Sequence, residues 1–369
     1  MDQKISVGLF YNDIPGPLSP VDSTVQAQPL NFKPVYDLEP TDTAEEIGEI
    51  EEALRKEGFE VFSHNLLNRL DDLINLLKRR KPDVVFNLVE SFYDSPLKEM
   101  MVTGVYEMLG IPYTGSPPLT LGICQRKGLS KQILLANGIS TPRFKLMAGK
   151  KISNRQGLHY PLIVKPARED GSIGVENESV VYNLRELKRR CEYILGEFRQ
   201  PAIVEEFIDG RELNVSVLGS EEPVVLPISE IDFSTMPESF ENIVTYQAKW
   251  EPRHETYHRT IPICPARLPR RVERRVREIA LKAFQIMGCR DYARIDIRLD
   301  RKNNPFVLEV NPNPHLSEGM GLMRSAEASG LPFSQTLRKI VEFALRRPKI
   351  LSPPIFHVVG VESVEGKEE

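Results

Sequence analysis

Tyr292-Ala-Arg-Ile-Asp-Ile-Arg-Leu-Asp300, the polar stretch Arg301-Lys-Asn-Asn304, and Pro305-Phe-Val-Leu-Glu-Val-Asn311 form the segment on which the fold turns. Both outer runs alternate apolar and polar residues with period two, and four turn-forming residues join them, so the segment predicts a β-hairpin. With Asp300 paired to Pro305, Asp296 falls opposite Glu309 and Arg294 opposite Asn311 on one face. Ile295, Ile297, Leu308 and Val310 then form the core face. Directly opposed side chains have Cβ atoms roughly 5 Å apart, a distance at which like charges destabilise a sheet. Two facing carboxylates beside an Asn oxygen are chemically sensible with a cation between them. Hard oxygen donors select Mg²⁺ (or Mn²⁺), completed by water and substrate phosphates. The other reading of the same pattern is a solvated sheet face whose carboxylates pair with Arg294 and Arg298.

Upstream, Leu162-Ile-Val-Lys-Pro166 reads as a strand ending in a lysine, and Ala167-Arg-Glu-Asp-Gly-Ser-Ile-Gly174 follows it. Gly171 and Gly174 permit backbone N–H groups to turn around an anion, Ser172 adds a hydroxyl donor, and Lys165 offers a point charge to a phosphate. Alone, such a loop is an ordinary turn. It gains meaning from a second lysine (Lys127), an acidic strand end (Glu205-Glu206) and the hairpin. The chain holds neither GxxxxGK[ST] nor GxGxxG, so neither common nucleotide fingerprint applies. His254-Glu-Thr-Tyr-His258 matches the zinc-protease pattern literally. That chemistry needs both histidines on one face of a continuous helix. Pro252 and Pro262 bracket this segment and it has no apolar face, so it reads as a polar loop without zinc.

Around these motifs the chain divides by pattern. Strands at Ile5–Phe10, Phe59–Phe62 and Asp83–Val89 alternate with helices opening at Thr43-Ala-Glu-Glu46 (a capping-box pattern) and spanning Asn65–Arg80 and Pro96–Leu109. This predicts an N-terminal parallel α/β layer over residues 1–116, interrupted by a Pro-rich loop over residues 14–40. The pattern changes at Pro117-Pro118. A central unit over 117–207 carries a basic helix (Lys127–Asn137) and the glycine loop. A C-terminal unit over 208–348 is dominated by strands and carries the hairpin. Residues 349–369 read as a tail. The arginines of the Pro269–Met287 helix are interleaved with Glu273 and Glu278 and read as a solvated face.

Composition narrows the function classes. Among 369 residues, 48 Lys+Arg face 52 Asp+Glu, a net charge of −4, which argues against a nucleic-acid or membrane-surface binder. No stretch approaches the ~18–20 apolar residues of a membrane span. No long apolar run follows Met1-Asp-Gln-Lys4, so no secretory leader is expected. Four scattered cysteines without a CxxC pair suggest reduced thiols in a cytoplasmic protein.

Taken together, these residues resemble the ATP-grasp superfamily, in particular its D-alanine–D-alanine ligase branch. The resemblance runs in order through Val84-Val-Phe-Asn-Leu88, Leu109-Gly-Ile-Pro-Tyr-Thr-Gly-Ser116, Gly138-Ile-Ser-Thr-Pro142, Pro161–Val175, Val204-Glu-Glu-Phe-Ile-Asp-Gly-Arg-Glu212, Ala293-Arg-Ile-Asp296 and Glu309-Val-Asn311. It implies a three-domain α/β ATP-grasp fold with an N-terminal Rossmann-like parallel sheet, and ATP held between the central and C-terminal units. It further implies that Lys127 and Lys165 contact ATP phosphates, Glu205 the adenine amino group, the Ile208 backbone the adenine, Glu212 the ribose, and Lys249 the γ-phosphate. Asp296, Glu309 and Asn311 would hold Mg²⁺, and Arg294 would steady the acylphosphate and the tetrahedral intermediate. The implied reaction joins a small carboxylate to an amine, with neither nucleic acid nor membrane as partner; homodimers are common in the family.

The sequence departs from the family around the substrate. Gly171 stands where the phosphate loop carries a Ser, Trp250 where that Ser meets a Tyr, and Glu90-Ser-Phe-Tyr-Asp94 replaces a His-Gly stretch. Met320 stands where a Ser receives the second amino acid's carboxylate. Trp250, Met320 and Glu90 are therefore candidate substrate-pocket residues, and the expected function is an ATP-dependent carboxylate–amine ligase acting on something other than D-alanine. A non-catalytic ATP-binding regulator and an ATP-grasp kinase are the alternatives.

Overall fold

The computed structural model describes residues 4–14, 30–39, 42–149, 152 and 157–347. The expected tail and much of the Pro-rich loop lie outside them. The N-terminal layer holds β1 (Ser6–Tyr11), α1 (Thr43–Lys56), β2 (Glu60–Asn65), α2 (Leu70–Arg80), β3 (Val84–Leu88) and α3 (Glu99–Met108), with its strands parallel in the order β2-β1-β3. α1 presents Ile47, Ile50, Ala53 and Leu54 to the core along one stripe, with acids in its first turn and bases in its last. Its N-cap is Asp42, whose carboxylate accepts the Ala44 N–H at 3.1 Å, not Thr43 as the capping-box pattern suggested. Glu46, the acid that would close that box, turns instead to His315.

The middle of the chain gives α4 (Pro118–Cys124), α5 (Lys127–Ala136), β4 (Phe144–Met147), β5 (Leu162–Pro166), β6 (Val180–Val181), α6 (Leu184–Glu197) and β7 (Ala202–Glu206), with a sheet ordered β4-β7-β5-β6. The remainder gives β8 (Glu212–Leu218), β9 (Val224–Val225), β10 (Ser229–Asp232), α7 (Tyr246–Trp250), β11 (Ile261–Ile263), α8 (Arg270–Ile286), β12 (Tyr292–Leu299), β13 (Pro305–Asn311), α9 (Gly321–Ala328) and α10 (Phe333–Arg346). Its antiparallel sheet runs β11-β10-β8-β12-β13, with β9 on β8. On α8, Arg277 pairs with Glu273 and Arg274 with Glu278, so part of the arginine run is a helix face laced with ion pairs.

The cores cross the boundaries drawn from sequence. Cys124, Leu134 and Ile139, from the start of the expected central unit, pack with Phe284, Ile295 and Val307 of the C-terminal sheet. Leu322, Leu337 and Ile340 of α9 and α10 share a core with Val7, Leu54 and Phe86 of the N-terminal layer. The sharing has a simple cause: α5 and α10 are amphipathic helices, and the sheet faces that bury their stripes belong to strands far away in sequence.

The hairpin also needs one correction. Arg294 pairs with Asn311 and Asp296 with Glu309 as expected, but Leu299, not Asp300, pairs with Pro305. A β-bulge beyond Asp296 absorbs the difference. It turns Val307 into the core and Leu308, expected there, out towards a cavity.

Candidate active site

The four-stranded and six-stranded sheets face each other across a cavity of about 460 Å³. Along β12 three polar side chains point the same way: Arg298, Asp296 and Arg294, spaced by two residues and hence ~6.7 Å apart. Each organises a different part of the cavity.

At one end, Arg298 lies 3.2 Å from the Glu212 carboxylate and donates to the carbonyl oxygens of Ile208 (3.0 Å) and Asn242. Burial pushes the Glu212 carboxyl above its ordinary range, with Arg298 working against it. The Ile208 carbonyl is thus taken, while its N–H has no partner among the described residues. A free N–H beside the apolar walls of Ile163 and Leu308 suits a flat heterocycle with an acceptor nitrogen.

Below it, Glu205 is completely buried and held by two cations, Lys165 at 2.8 Å and Lys131 at 3.0 Å. Burial alone would raise its carboxyl; Lys131 and Lys165 outweigh that and leave it below the ordinary range. The same burial drives Lys131 down to about 8. Lys131 also donates to Thr141 Oγ1 (2.9 Å) and the Leu308 carbonyl (2.8 Å), tying α5 to the bulge of β13. The resemblance did not point to Lys131. It lies one helical turn beyond Lys127, so the i,i+4 spacing carried the signal. Arg298, four residues beyond Arg294 on one strand face, was legible in the same way. Asn214 was not, because it meets Asp296 only through the β8–β12 register.

At the centre, Asp296 accepts from Arg294 Nε (2.7 Å) and Nη2 (2.9 Å), Asn214 Nδ2 (2.8 Å) and Asn311 Nδ2 (3.0 Å). Glu309 is 2.6 Å from Lys127, which holds its carboxyl well below the usual range against the push of burial. The ion-paired reading of the hairpin thus describes this structure, though with Lys127 where Arg298 was expected. The donor set still fits a hard cation: two carboxylates and an amide, in adjacent register, offer oxygen as their only lone-pair donors, and too few to cage an ion without substrate oxygens. Arg294 keeps Nη1 without a protein partner among the described residues.

The glycine loop departs from expectation in detail. Gly171 and Ser172 do adopt positive φ (60° and 63°). However, the Gly171 N–H donates to Asp170 Oδ1 at 2.7 Å, and the Ser172 hydroxyl donates to the Val244 carbonyl at 2.9 Å. Neither donor is free for a phosphate; both spend themselves shaping the loop. Trp250 does not line the cavity. Its indole N–H donates to the Gly171 carbonyl at 2.8 Å and its ring covers the Gly171 backbone, so it latches the loop to α7, the helix that brings Lys249 to the cavity wall. The side-chain pair lost from the sequence is replaced by a side chain bonding backbone. Met320 lines the cavity. Glu90 does not. It keeps solvent contact in the cleft, where the crowding of surrounding protein raises its carboxyl, His315 opposes that rise, and Asp170 adds to it.

His254 and His258 lie on one short 3-10 turn, Glu255–His258 and its cap, not on an α-helix. No described helix is long and apolar enough to cross a membrane.

Comparison with known proteins agrees with this geometry. Residues 133–342 match the family model of the D-ala D-ala ligase C-terminus. A D-alanine–D-alanine ligase of Carboxydothermus hydrogenoformans is 32% identical over 79% of this chain and 90% of its own length. An uncharacterized protein of Sinorhizobium fredii, y4sG, is 35% identical over 73% and 76%. The crystal structure of a Bacillus anthracis D-alanine–D-alanine ligase complexed with ATP superposes with a TM-score of 0.68, at 26% identity, covering 93% of this chain and 98% of that one. With more than half its length matched by the family model, and with the fold and cavity described above, this chain belongs to the D-alanine–D-alanine ligase family of ATP-grasp enzymes, ATP-dependent ligases that form C–N bonds.

Proposed function

We propose that the array along β12 activates a carboxylate as an acylphosphate and passes it to an amine, and that the amine is not D-alanine. The observation that carries this reading is the convergence of Lys127, Lys165, Lys249, Arg294, Asp296 and Glu309 on one cavity. The carboxylate oxygen attacks the γ-phosphorus, and the bond to the β-phosphate breaks to release ADP. The amine nitrogen then adds to the acyl carbon, inorganic phosphate leaves with the electrons of the C–O bond, and the proton lost by the nitrogen is taken up by the departing phosphate. Lys165 and Lys249 neutralise the transferring group and hold it in line. Arg294, fixed in orientation by its two bonds to Asp296, aims its remaining N–H at the oxyanion of the tetrahedral intermediate. Asp296, Glu309 and Asn311 would hold Mg²⁺, which supplies charge neutralisation on phosphate oxygens. Glu205, pinned between two lysines, and the Ile208 N–H bound the adenine site, and Glu212 the ribose. Met320 in the wall, a departure from the family pattern, supports a different amine.

The test is ADP release from Mg²⁺-ATP across a panel of amino acids and short peptides, D-alanine included, with products weighed by mass spectrometry. Amine-dependent ADP release with a mass gain of condensation is expected. A phosphorylated product without amide would make it a kinase, absence of ADP release with every amine would favour the regulator, and turnover of D-alanine alone at ordinary ligase rates would overturn the substrate reading.

A further inference from the structure

The cavity continues beyond the β12 array, across β8 and β10 to β11, to an end with no role so far. Strands lie ~4.8 Å apart, so β11, the far edge, is about 14 Å from β12, while Gly321, next to Met320, lies against the Arg294 side chain and joins this end to the array. Ile231, Pro262, Met320, Tyr257, Tyr36 and Arg324 form it. Arg324, one turn into α9, is half-buried and rests on neutral atoms only: Nη2 donates to the Gly319 carbonyl at 2.7 Å and Nη1 to Ser229 Oγ at 3.4 Å. No carboxylate pairs with it among the described residues. A guanidinium walled into a cavity without a counter-charge is a site for an anionic ligand group.

Tyr36 reaches this end from almost two hundred residues away in sequence, on a strap of residues 30–39. Its anchor is the second histidine of the His254–His258 motif. His258 is fully buried, and its Nδ1 accepts the backbone N–H groups of both Val35 and Tyr36 at 3.1 Å. Nδ1 must therefore carry a lone pair, and the ring proton sits on Nε2, which donates to the Pro252 carbonyl at 2.7 Å. Phe32 and Tyr36 pack on the imidazole, and Tyr36 meets Tyr257 edge-on at 5.9 Å. Those contacts place two phenol rings and a methionine beside the unpaired guanidinium.

We propose that this end is the acceptor subsite, that it takes an amino acid or short peptide whose carboxylate sits on Arg324 and whose apolar or aromatic side chain lies among Tyr36, Tyr257 and Met320, and that His258 is a positioning residue for Tyr36. The inference rests on the ligase reading above. Its test is calorimetric titration of the full chain, loaded with Mg²⁺-ADP, with phenylalanine, phenylalaninamide and alanine, each as both enantiomers. Phenylalanine of one enantiomer is expected to bind ~10-fold more tightly than its amide and ~10-fold more tightly than alanine, the size of one charge-assisted contact and of one buried aromatic side chain. Arg324→Gln should bring the acid-to-amide ratio to about 1 and leave the affinity for phenylalaninamide in place. Tyr36→Ala and His258→Gln should both collapse the phenylalanine-to-alanine ratio and spare the acid-to-amide ratio, a split that general loosening would not produce. Equal binding of acid and amide, an unchanged ratio in Arg324→Gln, or no binding of any probe by a chain that still binds ADP would overturn the subsite. Failure to bind ADP would overturn the ligase reading itself.

Discussion

At the β12 end of the cavity Lys127, Lys131, Lys165, Arg294 and Arg298 each sit on a carboxylate, and four carboxylates serve all five. At the β11 end Arg324 rests on a carbonyl and a hydroxyl, and Tyr36 is held through backbone N–H groups on an imidazole. The first end is preorganised by buried charge and presents lysines and arginines of fixed position to a polyphosphate. The second is assembled from a strap, a 3-10 turn and the start of one helix, whose positions depend on a few neutral hydrogen bonds. One half is built to bind the same ligand always; the other can change its wall residues without disturbing the charge lattice beside it.

The contrast breaks most directly at Glu205. Glu205→Ala leaves Lys131 and Lys165 buried together without a counter-charge, and loss of one partner from a buried ion pair costs about 3–5 kcal/mol. Urea unfolding of the nucleotide-free chain should show a loss of that order; less than about 1 kcal/mol would mean that buried charge does not hold this end. Asp296→Asn comes next. It weakens the pairing that fixes the orientation of Arg294 and leaves Glu309 as the one carboxylate on that face of the hairpin, so turnover should fall by ~10²–10³, with the fold retained by circular dichroism. Trp250→Phe is milder. It keeps ring cover over Gly171 and removes one hydrogen bond worth about 1 kcal/mol, so KM for ATP should rise ~5-fold with kcat nearly unchanged. A fall in kcat with KM unmoved would place Trp250 on the substrate side after all.

The same division governs what was legible in the sequence. The β12–β13 hairpin was readable because its two strands are joined by a four-residue turn, so local alternation fixes which side chains meet. The Asp296–Glu309 and Arg294–Asn311 pairs follow from that alone. The bulge at Leu308 was not readable, since either residue of Val307-Leu308 satisfies an apolar position. The glycine loop was legible as a loop, but not the use of its donors: Asp170 and Val244 compete for them, and the second is more than seventy residues downstream. The prolines around the histidine motif exclude an α-helix, yet nothing local tells that His258 anchors a segment at residue 36. Similarly, α4 and α9 are too short for an apolar stripe to stand out in sequence, and their buried faces are defined by distant partner surfaces.

The smallest effect concerns the joint between α1 and the loop after β13. His315 Nε2 lies 2.9 Å from Glu46 and 2.7 Å from Ser317 Oγ. Burial tends to lower the His315 pKa, but the Glu46 hydrogen bond and the charge of Glu90 outweigh it and the value is raised. Glu46, opposed by burial, is lowered by the same contact. A raised folded pKa means that His315 contributes stability in full below the ordinary histidine value, and that this is lost as pH rises through the raised value. Glu46 contributes above the ordinary carboxylate value and loses its share as pH falls through the lowered one. The pair therefore stabilises between those limits, at most about 1 kcal/mol because water reaches it. His315→Gln should cost most near pH 5.5, and the gap from the parent in urea midpoint should narrow by pH 8.5. A gap that widened with pH would mean the neutral imidazole makes the contact. This joint would then resemble the His258 anchor, held by hydrogen bonds without a charge pair.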